Sequence, residues 1–186
     1  MSKPRGRPAR GDGMAREQIL DAALLMLEEG GGQGVSMRAL AAQLGVTPMS
    51  LYRHVSDHTS LLRALSDRVY AAVLPGDVTG EDPVTRIRTV LIRYHGAVRD
   101  YPQLTLAIFA QPAAFAGTTR DITDQLIALL GTVTSEAELW LDILVDHAHG
   151  SALAFQAIRD DPRQAASMQA RYLSALDELL AQLART

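Results

Sequence analysis

The 186-residue chain contains no cysteine, and this absence excludes disulfide bonds, thiolate metal sites and a cysteine nucleophile. Only 5% of its residues are aromatic, and runs of β-branched residues are few. Stretches rich in Leu, Ala, Arg and Gln take their place, so the composition favours helices over sheets. We therefore expect an all-α fold.

Long apolar runs are also absent. The longest stretch without charge, residues 101–119, contains two prolines and two glutamines, whereas a membrane helix needs about 20 mostly apolar residues. The basic N-terminus is not followed by the apolar core of a signal peptide. A cytoplasmic protein without a membrane partner is the expectation.

Charge is distributed unevenly along the chain. Residues 1–56 hold seven basic and five acidic side chains, and residues 57–186 hold eleven basic and sixteen acidic ones. A polyanion is attracted to the first part and repelled by the second. This asymmetry predicts two different roles within one chain.

The first part is predicted to begin with a flexible basic arm, residues 1–13, followed by a helix over about 14–29. Apolar residues recur there at helical spacing. The glycine-rich segment 30–34 then ends the helix, since glycine supplies the left-handed residue at a helix C-terminus. No Gly-Lys-Ser/Thr follows, so a phosphate-binding loop is not favoured.

Two short helices are predicted next. Ser36 is a suitable N-cap for one that Gly45 ends, and Thr47 with Pro48 begins another that runs to about His54. Short helices joined by a glycine-containing turn and supported by neighbouring helices form a helix-turn-helix arrangement. Residues 14–56 are therefore predicted to be a DNA-binding domain.

Residues 57–186 are predicted to form a second, helical domain, in which 57–74 is a connecting helix. Asp57 caps that helix, which continues towards Pro75. Further helices are predicted over 83–101, between Pro102 and Pro112, and over 119–130, 136–159 and 164–183. The total is about nine helices.

Several side chains around the short helices suit DNA contact. Arginine, tyrosine and small polar residues hydrogen-bond to phosphates and base edges, while Leu51 faces the core between them. The polar face of any three-helix bundle is the alternative interpretation. The candidates are Ser36, Arg38, Thr47, Met49, Ser50, Tyr52, Arg53, His54 and His58.

The N-terminal arm contains a separate candidate. Arg5 and Arg7 lie in an Arg-Gly-Arg-Pro sequence that resembles the core of an AT-hook, and flexible basic arms enter minor grooves in other DNA-binding folds. A solubilising tail is the alternative.

Four segments resemble the N-terminal domain of tetracycline-repressor (TetR) family regulators: REQILDAA at 16–23, SMRALAAQLGV at 36–46, LYRHV at 51–55 and Leu61-Leu62. The resemblance covers about residues 14–74. It implies a homodimer, a recognition helix at Thr47–His54, and an all-helical C-terminal domain for dimerisation and effector binding. It also places Arg38, Ser50, Tyr52 and His54 where relatives contact DNA, and His58 near a phosphate.

The C-terminal helices carry candidates for contact with a small-molecule effector of unknown identity. His95 lies beside the apolar face of its helix, and His147 shares one side of the long helix with Trp140. Phe109 and Phe115 are candidates for an apolar wall. Core packing is the alternative for each of these residues.

A second stripe on the long helix holds Asp142, His149 and Gln156, with Asp146 adjacent. Carboxylate and imidazole groups on one face are able to bind a divalent metal, but a solvated or inter-subunit polar face is favoured. No metal or cofactor is predicted. No enzyme is predicted either, because the His147–Ser151 segment lacks the Gly-x-Ser-x-Gly elbow of a serine hydrolase.

The last helix suggests how two chains associate. Its apolar residues recur at steps of three or four, and the small residues near Gly150 would allow a partner helix to approach closely. The expected dimer-interface residues are Gly150, Met168, Tyr172, Leu176, Leu179 and Leu183.

The resulting expectation is a ligand-responsive regulator, a repressor that binds a palindromic operator as a homodimer. A dimer is needed because one module buries too little surface for tight, specific binding. The alternative is an architectural or ligand-independent DNA-binding protein that uses the helix-turn-helix and the arm.

Overall fold

The computed structural model describes residues 16–29, 35–74, 82–158 and 160–185. Within these ranges the chain forms nine α-helices, two short 3₁₀ turns at Pro112–Ala114 and Phe155–Ala157, and no strand. The predicted all-α fold and the number of helices are confirmed for this part of the chain. The helices are α1 (Arg16–Glu29), α2 (Met37–Gln43), α3 (Pro48–Tyr52), α4 (His58–Tyr70), α5 (Pro83–Asp100), α6 (Pro102–Ala110), α7 (Thr118–Leu130), α8 (Ala137–Ala154) and α9 (Pro162–Leu183).

Helices α1 to α4 pack around an apolar centre. Each contributes side chains that are almost completely inaccessible to solvent, among them Ile19, Leu40, Leu51 and Leu61. Burial of this kind stabilises a fold by about 1.5–3 kcal/mol per large apolar side chain. The short helices α2 and α3 are therefore held mainly by the shared core, because helices of this length are not stable alone.

Helix α4 connects the two halves of the molecule. On one side, Arg68 forms ion pairs with Glu17 and Asp21 of α1. On another, α4 contacts α6, α7 and the 3₁₀ turn at Pro112–Ala114. Helix α4 is therefore in contact both with α1 and with these C-terminal elements.

Helices α5, α7, α8 and α9 form the C-terminal bundle. Its core is continuous with that of the N-terminal helices and includes Ile87, Leu91, Leu126 and Leu144. At the surface, the Arg88 guanidinium donates two hydrogen bonds to the Asp177 carboxylate of α9, at 2.6 and 3.2 Å. No helix in the described part of the chain is both long and apolar enough to cross a bilayer.

Some helices end earlier than predicted. Helix α3 stops at Tyr52 instead of His54, α4 stops at Tyr70, and α8 gives way to a 3₁₀ turn after Ala154. Val73 is buried although it lies beyond α4, since the turn that follows the helix folds it back onto the core. The predicted glycine stop at 30–34 lies outside the described residues.

The prediction for the last helix was wrong for three residues. Tyr172, Leu176 and Leu183 are buried within the chain's own bundle, so they are not available to a partner. An amphipathic stripe identifies a buried face but does not distinguish packing within a chain from packing between chains. Met168 and Leu179 are half-buried and Gly150 is exposed; their contact with a partner stays a prediction.

Candidate nucleic-acid interface and internal cavity

The turn between α2 and α3 has a defined hydrogen-bonded geometry. Gly45 has a φ of +65°, and its N–H donates to the carbonyl of Ala42 while the N–H of Val46 donates to that of Ala41. This pair of bonds is a Schellman motif, which requires a left-handed residue after the helix. Glycine adopts that conformation without strain. Gly45 therefore allows the chain to turn sharply between α2 and α3.

The N-termini of both short helices are capped as predicted. The Ser36 hydroxyl accepts a hydrogen bond from the N–H of Ala39 at 3.1 Å, and the Thr47 hydroxyl accepts one from the N–H of Ser50 at 3.3 Å. The hydroxyls of Thr47 and Ser50 also bond to each other, at 3.1 Å. These hydroxyls therefore contribute to the rigidity of the surface, whether or not they also contact a ligand.

Helix α3 presents most of its side chains to solvent. Met49 is 72% exposed and Tyr52 is 43% exposed, while Leu51 between them is fully buried. Arg53 and His54 follow on the exposed surface. An exposed methionine and tyrosine on a helix anchored by a buried leucine form a fixed, partly apolar surface that is unusual for a solvated face.

The other predicted DNA contacts lie at the edges of this surface. Arg38 is exposed on α2, and His58 is partly exposed at the start of α4. There the Asp57 carboxylate accepts a 2.6 Å hydrogen bond from the N–H of Ser60, and this bond lowers the pKa of Asp57. Arg5 and Arg7 lie outside the described residues.

A cavity of about 230 Å³ lies between α4, α5, α6, α7 and α8. Its walls are largely apolar and aromatic, with Tyr70, Tyr94, Phe109 and Phe115 contributing rings. Phe109 is 53% exposed and makes an edge contact with the ring of His149. Apolar enclosure with a few polar groups is the usual character of a small-molecule site.

Two pairs of polar side chains in the cavity wall are hydrogen-bonded to each other. The Tyr70 hydroxyl bonds to the Thr105 hydroxyl at 2.8 Å, and the Tyr94 hydroxyl lies 2.6 Å from Nε2 of His149. Burial raises the pKa of Tyr70 to about 12 and that of Tyr94 further, and it lowers the pKa of His149. All three side chains are therefore neutral near pH 7.

Only part of the predicted effector site lines this cavity. Phe109 and Phe115 do, whereas His95, Trp140 and His147 are not among the residues in its wall. His95 and His147 instead stack on Tyr172 on the other side of the bundle, with ring centroids 3.7 and 5.2 Å away. Trp140 is buried in the core.

Sequence analysis missed the cavity's most polar residues. Asp142 and His149 were noted as a stripe on the long helix, and Asp146 as their neighbour, but not as parts of an effector site. Asp142, Asp146 and His149 are separated by four and three residues, which places them on one side of the helix. This spacing was the available signal. Nothing in the sequence indicated that Tyr70, on α4, would reach the same cavity.

Helix α4 is hydrogen-bonded to the segment between α6 and α7, which carries Phe115. Gln111 donates to the Thr59 hydroxyl at 2.8 Å, and the Arg63 guanidinium donates to the carbonyl of Ala113 at 2.6 and 3.0 Å. The N–H of Thr118 donates to the Asp67 carboxylate at 3.0 Å. These four bonds, with the Tyr70 bond to Thr105, form a row along one side of α4 that we call the α4 clamp.

Two other features of the described chain are less suited to an effector. A groove of about 560 Å³ lies beside the ends of α1 and α5, but it is more open and is lined by charged groups such as Glu28, Glu29, Arg99 and Asp160. Within the described ranges, no three His, Asp or Glu side chains cluster as a metal site requires.

Comparison with known proteins identifies the N-terminal domain. Residues 19–65 match the family model described as bacterial regulatory proteins, tetR family. The tetracycline repressor protein class D of Escherichia coli is 43% identical over 56 residues, which are 30% of this chain and 26% of that repressor. The transcriptional repressor KstR of Rhodococcus jostii is 30% identical over 132 residues, 66% of this chain and 62% of KstR. The chain thus aligns with less than two thirds of either relative.

Solved structures extend the likeness to the whole fold. BioQ of Mycobacterium smegmatis superposes with a TM-score of 0.75 over 92% of this chain and 98% of its own, at 22% identity. A structure of BioQ with its natural double-stranded DNA operator gives a TM-score of 0.70 at 20% identity, over 93% of this chain and 99% of BioQ. At such identities the likeness shows the fold alone. The chain therefore resembles the tetR family of bacterial regulatory proteins over residues 19–65 and shares the fold of these solved structures over most of its length.

Proposed function

We propose that this protein is a transcriptional repressor that binds a palindromic DNA operator as a homodimer and releases it when a small molecule enters the cavity. The observation that carries the proposal is the capped helix-turn-helix, in which buried Leu51 fixes the exposed Met49 and Tyr52 on α3. The match of residues 19–65 to the tetR family and the operator complex of BioQ support the same function.

The exposed residues of this surface suit two kinds of DNA contact. Tyr52 and Arg53 supply hydrogen bonds to phosphates or base edges, and Met49 supplies an apolar contact for a thymine methyl group. Arg38 on α2 and His58 on α4 flank α3, where they would meet the backbone on either side. Minor-groove contact by Arg5 and Arg7 stays a prediction.

Dimerisation would place two such surfaces on one DNA duplex. On α8, Leu139, Ile143, Gly150 and Ala154 are exposed and recur at helical spacing on the side opposite the buried residues. A two-fold dimer reads half-sites that are about 34–36 Å apart, or a multiple of that distance. A palindromic operator follows from this symmetry.

The α4 clamp supplies the connection between cavity and DNA surface. Tyr70 lines the cavity and belongs to α4, which contacts α1 through Arg68. A molecule that displaces the Phe115 segment or Tyr70 therefore displaces α4 and the angle at which the helix-turn-helix meets DNA. Release requires that the molecule bind the displaced arrangement of α4 and the DNA-binding arrangement with different affinities.

The test is selection of binding sites from a random duplex pool at near-physiological salt. We expect wild type to enrich a two-fold symmetric sequence, and Tyr52→Ala to lose that enrichment. Arg93→Ala, an exposed substitution on α5, is the matched control and should select the wild-type site. Enrichment of A/T tracts alone, without a palindrome, would contradict the proposal and support an architectural protein.

A further inference from the structure

The cavity contains negative charge that no basic side chain in its wall balances. Asp142 and Asp146 line it from α8, four residues apart on the same helix. No lysine or arginine is among its lining residues, and no ion pair joins either aspartate to a side chain in the described ranges. The charge facing a bound molecule near pH 7 is therefore that of two carboxylates.

The remaining polar wall does not offset this charge. His149 is neutral because its imidazole is buried, and Nε2 is engaged with the Tyr94 hydroxyl. Arg120 lies outside the lining, with its guanidinium 5.5 Å from the centre of the Phe115 ring. The Phe115 ring therefore already takes part in one cation–π contact within the chain.

Aromatic rings provide the second element of cation recognition. Tyr70, Tyr94, Phe109 and Phe115 surround the cavity, and the negative face of each ring attracts a positive charge, most strongly where water is excluded. A protonated amine near Asp142 and Asp146 would leave the attached apolar body among these rings. A carboxylate in the same place would be repelled.

We propose that the cavity selects small organic cations, in which a protonated amine is joined to an aromatic or alicyclic body. The inference rests on the proposed function, because it names the chemical class of the effector. The cavity volume of about 230 Å³ is below the roughly 300–1,000 Å³ of sites for drug-sized molecules, so the cation is a small one.

The test compares three probes of the same shape and different charge: 3-phenylpropylamine, 3-phenylpropan-1-ol and 3-phenylpropanoate. Calorimetric titration of the full-length protein at pH 7 is expected to give a dissociation constant for the amine about tenfold or more below that of the alcohol. The carboxylate should bind most weakly. Equal affinity for the amine and the alcohol, or no measurable binding of the amine, overturns the proposal.

A double variant tests the role of the two carboxylates. Asp142→Asn with Asp146→Asn should reduce the preference for the amine over the alcohol to about threefold or less, with alcohol binding unchanged. Both aspartates are exposed, and thermal unfolding verifies that the variant is folded. The control, Asp121→Asn with Asp124→Asn on α7, changes the net charge equally and should keep the wild-type preference; loss of the preference in this control overturns the proposal.

Binding of the probes and binding of DNA are measured separately. A protein that selects a palindrome but does not prefer the amine disproves the cation inference and leaves the proposed function standing. A protein that prefers the amine but selects no DNA sequence disproves the proposed function and leaves the cation selectivity standing.

Discussion

Tyr172 on α9 is held by three interactions inside the C-terminal bundle. Its hydroxyl donates a 3.0 Å hydrogen bond to the carbonyl of Leu91 on α5, and its ring stacks on His95 and His147. His95 itself is 1% exposed, and its Nε2 lies 3.2 Å from the Ser151 hydroxyl. The cluster joins α5, α8 and α9 through a neutral imidazole, so the charge of His95 bears on stability.

Stability is expected to fall as the pH decreases from about 6.5 to 4. Burial, aided by Arg99 and His147, lowers the pKa of His95 from 6.5 to about 4. In this window the unfolded chain binds a proton that the folded chain does not, so the free energy of unfolding decreases by up to about 1.4 kcal/mol per pH unit. Urea unfolding at several pH values measures the slope.

His95→Phe should reduce this slope, because phenylalanine keeps the stack on Tyr172 and binds no proton. Part of the slope will remain, since burial also lowers the pKa of His149. His54→Phe removes an exposed imidazole that follows α3 and serves as the control, which should keep the wild-type slope. An unchanged slope in His95→Phe would show that His95 does not cause the acid sensitivity.

Among the elements, the turn between α2 and α3 depends most directly on one residue. Gly45 combines a positive φ with open space around it, because a Cβ atom at this position would meet nothing within 4 Å. Gly117 also has a positive φ, but there a Cβ atom would lie 2.5 Å from Oδ1 of Asp67. Substitution at Gly45 therefore tests backbone strain alone, whereas substitution at Gly117 would also disrupt the α4 clamp.

Gly45→Ala is expected to lower the free energy of unfolding by about 1–2 kcal/mol, the strain of an L-residue in the left-handed region. Gly45→Asn should lower it less, because asparagine tolerates this conformation better. Chemical denaturation of both variants provides the comparison. An alanine variant as stable as wild type would mean that the turn adopts another conformation.

Helix α8 shows how the whole molecule is organised around one element. One side packs into the core through Leu144 and Ala148, a second side lines the cavity, and a third side exposes Leu139 and Ile143. Leu139 is 53% exposed and Ile143 38%. Apolar exposure opposite a buried face is typical of a surface that contacts another protein.

We expect the protein to be a dimer in solution, with twice the mass of the 20.1 kDa chain. Ile143→Glu should yield a folded monomer, because it places a charge in the proposed interface. The affinity of this variant for the palindromic operator should fall, because a monomer contacts only one half-site. Sedimentation equilibrium measures the mass, and circular dichroism the helix content. Leu25→Glu on α1, also an exposed leucine, is the control and should remain dimeric. A monomeric wild type would contradict the expected dimer, and a dimeric Ile143→Glu would place the interface elsewhere.

The position of most helices and the exposed face of α3 could be predicted from the sequence alone, because both depend on local rules. Ser36, Thr47 and Asp57 cap helices, Gly45 ends one, and the alternation of Leu51 with exposed neighbours follows from helical spacing. The residues of α3 that we propose for DNA contact lie within a few consecutive positions, so their arrangement could be predicted without a tertiary structure.

The neighbours of the C-terminal side chains could not be predicted from the sequence, because they depend on how all the helices pack. Tyr172 and Leu176 were predicted to meet a partner and are buried in the chain, and His95 and His147 stack on Tyr172 instead of lining the cavity. Tyr70 of α4 lies in the same cavity wall as Asp142 and His149 of α8. Amphipathic periodicity shows which side of a helix is buried, but the neighbour that buries it depends on how all the helices pack.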